Sequence, residues 1–449
     1  MNAGEKLLII GGGGGGFAAA MRAKALMPNI DVTLVRREKL FIVRCSLPYV
    51  VSGLVTPESI VNPDHKFIAS GINVIVDEVT TVDPKRNVVR LSDGRELSYD
   101  KLVMATGASP VMPPIEGRDL GGVFMLRSLS DAERIRAFMQ EQKPRKLIFV
   151  GAGFITLELA AGILSLSPGS YQITIVELLD RPLPMMLDPE FSEKIRGYLI
   201  EKGMKMQMGR KVEKILGRDG TVDGVLLDNG ERLDADMVFL NVGVRANLDL
   251  AKQIGLETGR FGIKTNEYME TSQPNIFALG DCAEKKHFIT GKPVPGVLRG
   301  PAIIAGRHIA KRLAGYDVPF PGVLDNAVVK LFDKSIAFVG LTEKQAREEG
   351  FEPVCATVES RSKHAMMPGV KPWTIKLVFD RKSKKLIGGQ ILSDAEAPAK
   401  EIDTVNALIL GGKTVYDLCS LMCAGQPEMS SEPSAEPICI AAEQALVKM

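Results

Sequence analysis

The stretch LLIIGGGGGG, residues 7–16, sets six glycines directly after an apolar run. The apolar run predicts a buried strand, and the residues after the glycines predict a helix. A dinucleotide-binding turn needs a first glycine for the tight turn, a second for close approach of the pyrophosphate and a third for helix packing. Gly11, Gly13 and Gly16 meet these needs, and free N–H groups at the helix start would face the phosphates. Without its strand and helix, the same run would indicate only a flexible turn.

The same pattern occurs a second time. Another apolar run leads into Gly151 and Gly153, with Thr156 in the third place, where slightly looser packing is expected. A further strand is predicted after each turn, at 31–35 and 172–176, which is the spacing of a βαβ unit. The sequence therefore predicts two nucleotide-binding domains.

The remaining segments complete the predicted organisation. Residues 102–107 and 271–281 each predict a strand that ends in a small-residue turn, so both are interpreted as parts of the first domain. The predicted fold class is α/β, with two Rossmann-like nucleotide-binding domains, the second inserted in the first, and a C-terminal α+β dimerisation domain. The predicted boundaries are 1–120 and 271–320 for the first domain, 121–270 for the second and 321–449 for the third.

The third domain is predicted from its alternating pattern of strands and amphipathic helices. The strands are expected at 327–332 and 374–379, and the helices at 342–349 and 397–409. Such a domain, placed after two nucleotide domains, suits dimerisation better than catalysis on its own.

Composition excludes several partners. The net charge is +2, and no dense lysine or arginine block is present, so nucleic acid is not an expected partner. No window of about 18 uninterrupted apolar residues predicts a membrane span. The first apolar run ends in glycines without a cleavage-site pattern, so a signal peptide is not expected and the cytoplasm is the expected location.

The cysteines are scattered through the chain without the spacing of a disulfide framework. Most of the six are therefore expected to be free thiols in a reducing compartment. Cys419 and Cys423 lie four residues apart on a predicted helix and could face each other. They form a weak metal site because no histidine or further cysteine is near in sequence, and no metal is predicted.

Cys45 is different because it follows the first glycine turn, in the run RCSLPY at 44–49. Oxidoreductases that hold a disulfide beside a flavin usually have a second thiol about five residues away, but Leu40 and Val50 are apolar. The thiol must therefore take its sulfur partner from elsewhere. Adjacent Arg44 and a short helix predicted to start at Pro48 favour the reactive thiolate, and a buried inert cysteine is the alternative.

The ends of the second strands predict how each dinucleotide is held. Glu177 could accept hydrogen bonds from an adenosine ribose, which favours NADH, while nearby Arg181 keeps NADPH possible. At the matching place in the first domain the chain has Arg36 and Arg37 instead of an acid. Either Glu38 reaches the ribose there, or an arginine contacts the adenine or phosphate end.

The order of these motifs resembles the flavin- and pyridine-nucleotide-dependent disulfide oxidoreductases, in particular their single-cysteine branch. That branch includes coenzyme A disulfide reductases, NADH oxidases, NADH peroxidases and persulfide reductases. The resemblance covers essentially the whole chain and rests on the two glycine turns, the ATG run at 105–107 and the Gly280-Asp281 pair. The run CSLPY at 45–49 is most similar to that of coenzyme A disulfide reductases.

The resemblance implies FAD in the first domain, with Asp281 on its ribitol or phosphate side. It implies NADH in the second domain, with Glu158 near the nicotinamide, although a carboxylate on the helix surface is an equal alternative. The cofactor contacts that it implies or that the turns predict are Gly11, Gly13, Gly16, Arg36, Glu38, Ala105, Thr106, Gly107, Gly151, Gly153, Phe154, Ile155, Glu158, Glu177, Gly243, Gly280, Asp281 and Ala302.

The implied reaction passes electrons from NADH through FAD to Cys45. If oxidised Cys45 is a mixed disulfide, the enzyme reduces a small disulfide, persulfide or polysulfide, with coenzyme A disulfide as the first choice. If it is a sulfenic acid, the enzyme is a water-forming NADH oxidase. An electron-transfer flavoprotein that feeds a small redox protein, with Cys45 dispensable, is the alternative from another class.

Two arginines predict an anionic substrate, such as a coenzyme A derivative or a polysulfide. Arg44 adjoins the thiol, and Arg22 aligns with a substrate-contacting position of the family, although an exposed helix arginine is its simpler interpretation. The resemblance also implies a homodimer whose C-terminal domain lies at the partner's active site.

The chain departs from the family pattern in four places. Gly14 stands where the peroxidases have a histidine, which disfavours peroxidase activity. The residues before Cys45, Phe41–Arg44, replace a Ser-Phe-x-Asn pattern. Two C-terminal tyrosines are replaced in the runs MMPG at 366–369 and GQPE at 425–428, which puts the source of protons in question.

Overall fold

The computed structural model describes all 449 residues. Two five-stranded parallel sheets and one five-stranded antiparallel sheet form the framework of the chain. The predicted α/β fold class, with two Rossmann-like units and a C-terminal α+β unit, is confirmed. The residue boundaries of the three domains stay a prediction.

The first sheet surrounds the strand that leads into the first glycine turn. Its order is Ile276–Ala278, Lys101–Met104, Lys6–Ile10, Asp31–Arg36 and Ile72–Val76. Helices Gly14–Leu26 and Arg299–Leu313 pack against each other, and a Cβ on Gly306 would lie only 2.4 Å from the Gly15 oxygen. Glycine there lets the two helices touch.

The second sheet repeats this arrangement. Its order is Val123–Phe124, Met237–Leu240, Lys146–Val150, Gln172–Glu177 and Lys205–Met208. Its helices are Leu129–Gln142, Phe154–Leu166 and Pro189–Glu201. In both sheets the middle strand feeds the glycine turn, so both turns open at the carboxyl edge of a parallel sheet, where α/β folds bind ligands.

Smaller elements connect these units. Strands Ala108–Pro110 and Val244–Ala246 pair where the chain enters and leaves the second sheet. Two three-stranded meanders consist of Val79–Asp83, Val88–Leu91 and Glu96–Ser98, and of Val212–Arg218, Thr221–Leu227 and Arg232–Asp234. The other short elements are strands Phe41–Ile42, Val61–Asn62, Lys285–Lys286 and Pro293–Val294, helices Leu47–Ser52, His65–Ala69 and Asp249–Gln253, and 3-10 turns Arg44–Ser46, Glu58–Ile60, Gly280–Cys282 and Pro433–Ala435.

The third sheet is antiparallel, with the order Ala327–Leu331, Lys334–Gly340, Leu386–Ser393, Pro372–Asp380 and Pro353–Arg361. Its helices are Glu343–Glu348, Glu396–Ala399, Glu401–Leu410, Val415–Leu418 and Pro437–Val447. The single helix predicted at 397–409 is wrong, because the structure has two helices that meet at Lys400. There Lys400 and Asp403 donate to carbonyls three residues back, which tightens the chain.

The prediction that Cys419 and Cys423 share a helix is also wrong. The helix ends at Leu418, and Cys423 lies exposed in the loop beyond it. The last bond of α-helical spacing runs from Cys419 N–H to Val415, and Ser420 donates instead to a carbonyl three residues back. Cys419 lies instead beside Cys439, whose Sγ is 3.4 Å from the Cys419 carbonyl oxygen.

One apolar core joins the helix Leu47–Ser52, called the thiol helix below, to the second and third sheets. It contains Leu47 and Val50 of the thiol helix, Phe149 of the second sheet and Leu331 of the third. Burying each such side chain stabilises the structure by about 1.5–3 kcal/mol. The segment that carries Cys45 is therefore held by packing against the second domain and not by its loop alone.

No helix of the chain combines the length and the apolar character that a membrane crossing needs.

Candidate active site

The first glycine turn has the shape that a dinucleotide requires. Gly11 has φ +115°, and a Cβ there would lie 2.1 Å from the Ala105 oxygen, so only glycine fits. A Cβ on Gly16 would meet the Gly11 oxygen at 2.1 Å, whereas one on Gly13 would meet open space. No side chain caps the helix that starts after Gly13, so its N–H groups face that space. The turn therefore fits a pyrophosphate.

The second turn has the same form. Gly151 has φ +98°, and a Cβ there would lie 2.6 Å from the Asn241 oxygen, while the space beside Gly153 is open. Thr156, in the third place, is fully buried and accepts a hydrogen bond of 3.3 Å from Asn241. The looser packing expected at Thr156 is not seen, because its side chain fills the position and bonds across to the next strand. This turn also fits a dinucleotide.

Glu177 closes the second turn. Its carboxylate accepts the Ala152 N–H at 2.6 Å and the Leu179 N–H at 2.9 Å. Arg181 is mostly buried, pairs with the exposed Asp180 at 2.8 Å and leaves its Nε without a partner. The acid thus lies beside the glycine turn, where the sequence predicts it.

Phe154 and Ile155 begin the helix after the second turn. Ile155 is 41% exposed, whereas Phe154 stacks on Phe338 of the third sheet with ring centres 5.5 Å apart. Gly243, with φ +112°, follows the strand Met237–Leu240, and its oxygen accepts the Val111 N–H at 3.0 Å. All three predicted contacts lie around the carboxyl edge of the second sheet.

The loop at Ala105, Thr106 and Gly107 lies over the first turn, with its position fixed by Asn247. The Thr106 hydroxyl donates to the Asn247 carbonyl at 3.0 Å, and the Asn247 side-chain amide donates to the Thr106 carbonyl at 2.9 Å. Asn247 N–H also bonds to the Gly107 carbonyl at 2.9 Å. Asn247 directly follows the strand Val244–Ala246, and no local pattern in the sequence points to it.

Asp281 lies close to the same place but is paired. Arg127 donates to it at 2.9 Å, and Arg127 Nε is buried without any partner. An orphaned buried N–H is costly, so Arg127 suits a bound anionic or hydroxyl-rich group. Ala302 is buried at the start of the helix Arg299–Leu313, and its Cβ would lie 3.7 Å from a Cβ on Gly280. Together these residues continue the path that begins at the first glycine turn.

A cavity of about 510 Å³ runs along this path between the first and second domains. Its walls include Arg37, Arg44, Thr106, Arg118, Arg127 and Asn247. Five arginines, the fifth being Arg134, line the cavity against three carboxylates, Glu38, Asp119 and Asp131, so its lining is net positive, which suits phosphate groups.

Arg36 does not offer its guanidinium to a ligand. It is buried and makes two bonds to Asp64, at 2.6 and 2.7 Å, and two more to the carbonyls of Glu38 and Lys39. A Cβ added to Gly12 would lie 2.8 Å from the Arg36 Cδ, so the aliphatic part of Arg36 packs directly against the glycine turn. The sequence offered two interpretations at this strand end, a ribose contact by Glu38 or a cofactor contact by an arginine. The Glu38 carboxylate pairs with Arg44 at 2.7 Å, and Arg37 is the exposed arginine that could still make a cofactor contact.

Cys45 is exposed in a 3-10 turn that runs directly into the thiol helix, which has Pro48 in its first turn. The predicted short helix after the cysteine is therefore present. Arg44 is partly exposed, while Arg22 is exposed on the helix Gly14–Leu26 and makes no ion pair.

Tyr49 and Glu158 connect the thiol helix to the second domain. Tyr49 Oη donates to Glu158 Oε1 at 3.0 Å, and one helical turn further Gly162 contacts Ser52. Burial raises the pKa of Glu158 to about 7, although the hydrogen bond from Tyr49 opposes this. Burial, Glu158 and the nearby Cys45 raise the pKa of Tyr49 to about 12. The Glu158 carboxyl group, with a pKa near 7, is therefore joined to the thiol helix by its hydrogen bond with the Tyr49 phenol.

Sequence reasoning missed four of these residues: Tyr49, Asp64, Arg127 and Asn247. For Arg127 a signal existed, because Ser128 and Asp131 form a capping box that marks the helix start directly after it. Tyr49 stands inside the quoted CSLPY run, but its partner lies 109 residues away.

Comparison with known proteins identifies similar chains. The family model described as pyridine nucleotide-disulphide oxidoreductase matches residues 5–299, and the model of the dimerisation domain of such enzymes matches residues 327–436. The chain is 34% identical over 430 residues to a protein named NADH oxidase from Methanocaldococcus jannaschii, with 94% of each chain covered.

It is also 35% identical over 423 residues to a protein named NAD(P)H coenzyme A polysulfide/persulfide reductase from Pyrococcus horikoshii, with 93% of each chain covered. Among solved structures, the NAD-dependent persulfide reductase from A. fulgidus superposes with a TM-score of 0.93 at 34% identity. That superposition covers 99% of this chain and 83% of the other.

Proposed function

The chain belongs to the pyridine nucleotide-disulphide oxidoreductase family and is an enzyme of that family, and we propose that it uses FAD and NAD(P)H to reduce a small disulfide, persulfide or polysulfide through Cys45. Coenzyme A disulfide is the first substrate to test. The observation that carries the proposal is the exposed Cys45 thiol at the start of the thiol helix, beside the interdomain cavity wall at Arg44.

In the proposal, FAD lies on the first glycine turn, with Arg127 and Asp281 along its path. NADH lies on the second turn, where Glu177 meets the ribose and Glu158 lies near the nicotinamide. The bound cofactors supply the electron pair that returns oxidised Cys45 to its thiolate. The Glu177 carboxylate at the second turn supports NADH over NADPH, because a carboxylate at this strand end accepts hydrogen bonds from a ribose and repels a 2′-phosphate.

Cys45 acts as the nucleophile. Its thiolate attacks one sulfur of the substrate, so that a Cys45–S bond forms and the substrate S–S bond breaks. The electron pair of the broken bond leaves on the second sulfur as a thiolate or hydrosulfide. No other cysteine lies in the 3-10 turn or the thiol helix, so the mixed disulfide persists until two electrons reach it.

The surroundings of Cys45 support an anionic substrate. Arg44, next to Cys45, lines the cavity. Arg22, on the helix Gly14–Leu26, is exposed and has no carboxylate partner. Arg44 is paired with Glu38 at 2.7 Å, so a substrate anion would displace this carboxylate. The P. horikoshii relative named for coenzyme A polysulfide and persulfide supports a sulfur substrate.

The proposed assembly is a homodimer, supported by the match of residues 327–436 to the dimerisation domain. In it the C-terminal domain would lie at the partner's active site. All six cysteines are free thiols, which suits a reducing compartment such as the cytoplasm.

The test measures NADH consumption by the FAD-loaded enzyme with coenzyme A disulfide, with polysulfide and with oxygen alone. Cys45→Ser should abolish the sulfur-dependent rate. Cys423→Ser is the matched control, because Cys423 is the other exposed cysteine and should be silent. If Cys45→Ser retains its rate with every acceptor, the thiol mechanism is wrong, and an electron-transfer flavoprotein becomes the better description.

A water-forming NADH oxidase is the second candidate. The M. jannaschii relative named NADH oxidase, which covers 94% of this chain, favours it. In this case Cys45 would cycle through a sulfenic acid. Turnover with oxygen alone that forms water in the wild type and hydrogen peroxide in Cys45→Ser would select this function.

A further inference from the structure

We propose that Glu158 and Tyr49 form a proton relay that protonates the thiolate expelled when Cys45 opens a disulfide. The inference rests on the proposed function and assigns the proton source for it. It names one residue of the second domain and one of the thiol helix, and it needs no residue of a partner chain.

The first support is geometry. Tyr49 lies in the first turn of the thiol helix, four residues after Cys45, and Cys45 is close enough to act electrostatically on the pKa of Tyr49. The Tyr49 hydroxyl makes one side-chain hydrogen bond, to Glu158 at 3.0 Å. The phenol therefore lies between the thiol segment and the carboxyl group.

The second support is the state of the carboxyl group. Glu158 is partly buried on the helix Phe154–Leu166, and this burial raises its pKa to about 7, against the opposing effect of Tyr49. At neutral pH a large fraction of the carboxyl groups therefore holds a proton. A general acid works best when its pKa lies near the working pH.

The third support is that Glu158 makes no ion pair, and that the two arginines nearest the thiol helix in sequence or packing are engaged elsewhere. Arg136, on the helix packed against the thiol helix, donates to the Val50 carbonyl at 2.7 Å. Arg44 is occupied by Glu38. Burial first, and then Glu158 and Cys45, raise the pKa of Tyr49, so the phenol keeps its proton and passes protons without becoming a lasting phenolate.

The transfer balances without any change in redox state at the relay. Attack by the Cys45 thiolate forms Cys45–S–S–R and releases R′S⁻ with the electron pair of the broken bond. When Glu158 holds its proton, its carboxyl O–H donates to Tyr49 Oη, which reverses the hydrogen bond made with the carboxylate form and frees the Tyr49 hydroxyl proton. Tyr49 Oη–H then gives its proton to R′S⁻, which becomes R′SH, and the Glu158 carboxyl proton moves to Tyr49 Oη. Glu158 ends as a carboxylate and takes a proton from solvent after R′SH leaves.

A comparison of leaving groups isolates this step. The FAD-loaded enzyme, with Cys45 reduced and no NADH present, is mixed with bis(2-hydroxyethyl) disulfide or with 5,5′-dithiobis(2-nitrobenzoate). The first expels an alkyl thiolate that needs a proton, and the second expels an acidic aromatic thiolate that does not. Formation of the Cys45 adduct is followed by peptide mass in a Cys423→Ser background, which removes the other exposed thiol.

Glu158→Gln and Tyr49→Phe should each slow the alkyl exchange by about 100-fold, the lower end for loss of a general acid, and change the aromatic exchange by less than about threefold. Equal slowing of both exchanges would show that the pair only positions the thiol helix, and no slowing of either would remove the relay. If Cys45 of the wild type reacts with neither disulfide, the proposed function itself fails. Thermal unfolding of each variant checks that its fold is kept.

Discussion

The Arg36 guanidinium faces the Asp64 carboxylate in a bidentate pair at 2.6 and 2.7 Å, directly beneath the first glycine turn. Arg36 stands where the second domain has Glu177, at the end of the second strand. The Arg36 side chain is 1% exposed and that of Asp64 is 34% exposed, so the arginine charge depends on this one carboxylate. At this strand end the first domain has a structural ion pair in place of a ribose-binding acid.

Asp64→Asn should therefore lower the free energy of unfolding by about 3 kcal/mol, because it leaves a buried guanidinium without its counter-charge. The measurement is urea unfolding followed by circular dichroism. The control is Glu78→Gln, since Glu78 pairs with Arg37 at 3.4 Å and both side chains are more than half exposed. That variant should change the free energy by less than about 0.5 kcal/mol. Equal effects of the two substitutions would mean that burial of Arg36 does not depend on Asp64.

Glu177→Ala should raise the KM for NADH by about tenfold and raise that for NADPH much less, because a hydrogen bond to a charged group is worth about 1.5–3 kcal/mol. The same substitution also frees the Ala152 N–H, which the carboxylate now accepts at 2.6 Å. Glu177→Gln keeps an oxygen acceptor for that N–H and is the control for the shape of the turn. Equal losses with NADH and NADPH in both variants would contradict the ribose contact.

The features that the sequence predicted are those that short segments determine. Gly11 and Gly151 must be glycine because a tight turn with positive φ leaves no room for a Cβ, and that demand is visible in the local pattern. The two strand-turn-helix units, the fold class and the short helix after Cys45 follow from such segments. Errors arose where a short helix stopped early, as after Leu418, because one helical turn has little periodicity to read.

The contacts that the sequence did not predict join residues far apart in the chain. Tyr49 and Glu158 are separated by 109 residues, and Arg127 and Asp281 by 154. Each pair exists because the second domain packs against the first, and hydrophobic periodicity reports only which face of an element is buried, not what covers it. For the same reason Glu158 could equally be interpreted as a surface carboxylate until Tyr49 was seen beside it.

The Glu158 carboxyl group should titrate near pH 7 in the FAD-loaded enzyme without NADH. Its infrared C=O band, identified as the band absent from Glu158→Gln, should fade with a midpoint near that pH. Tyr49→Phe should move the midpoint upward, because the hydrogen bond from Tyr49 lowers this pKa. A midpoint near the usual glutamate value of 4.5 would show that the carboxyl group is solvated.

The raised pKa of Glu158 also makes stability depend on pH. The folded state holds a proton that the unfolded chain releases near 4.5, so this contribution is full below 4.5 and is lost as the pH rises through about 7. Glu158→Gln removes this contribution. The free energy of unfolding of the variant, relative to that of wild type, should therefore increase as the pH rises from 4.5 to about 7. A constant difference across this range would contradict the assignment.

Lys376→Met should weaken the junction between the second domain and the third sheet. Lys376 is 3% exposed and lies 2.9 Å from Asp188, 3.2 Å from Glu343 and in contact with Glu190. Burial lowers the pKa of Lys376, but the hydrogen bonds to Glu190 and Asp188 outweigh burial and raise it, so the cation is kept. Removing it leaves Asp188, 1% exposed, without its counter-charge, which should cost about 3 kcal/mol.

Urea unfolding and limited proteolysis at the junction measure this loss. Lys382→Met is the matched control, because Lys382 is 72% exposed in its pair with Glu352 and its substitution should have little effect.

The dependence of stability on acid pH is a second measurement on the same variant. The hydrogen bond from Arg347 lowers the pKa of Glu343 to about 2, burial opposes this, and Lys376 lowers it further. Its contribution to stability is therefore present above 4.5 and is lost as the pH falls toward 2. That acid-dependent loss should be smaller in Lys376→Met than in wild type, and an unchanged loss would mean that Lys376 does not act on Glu343.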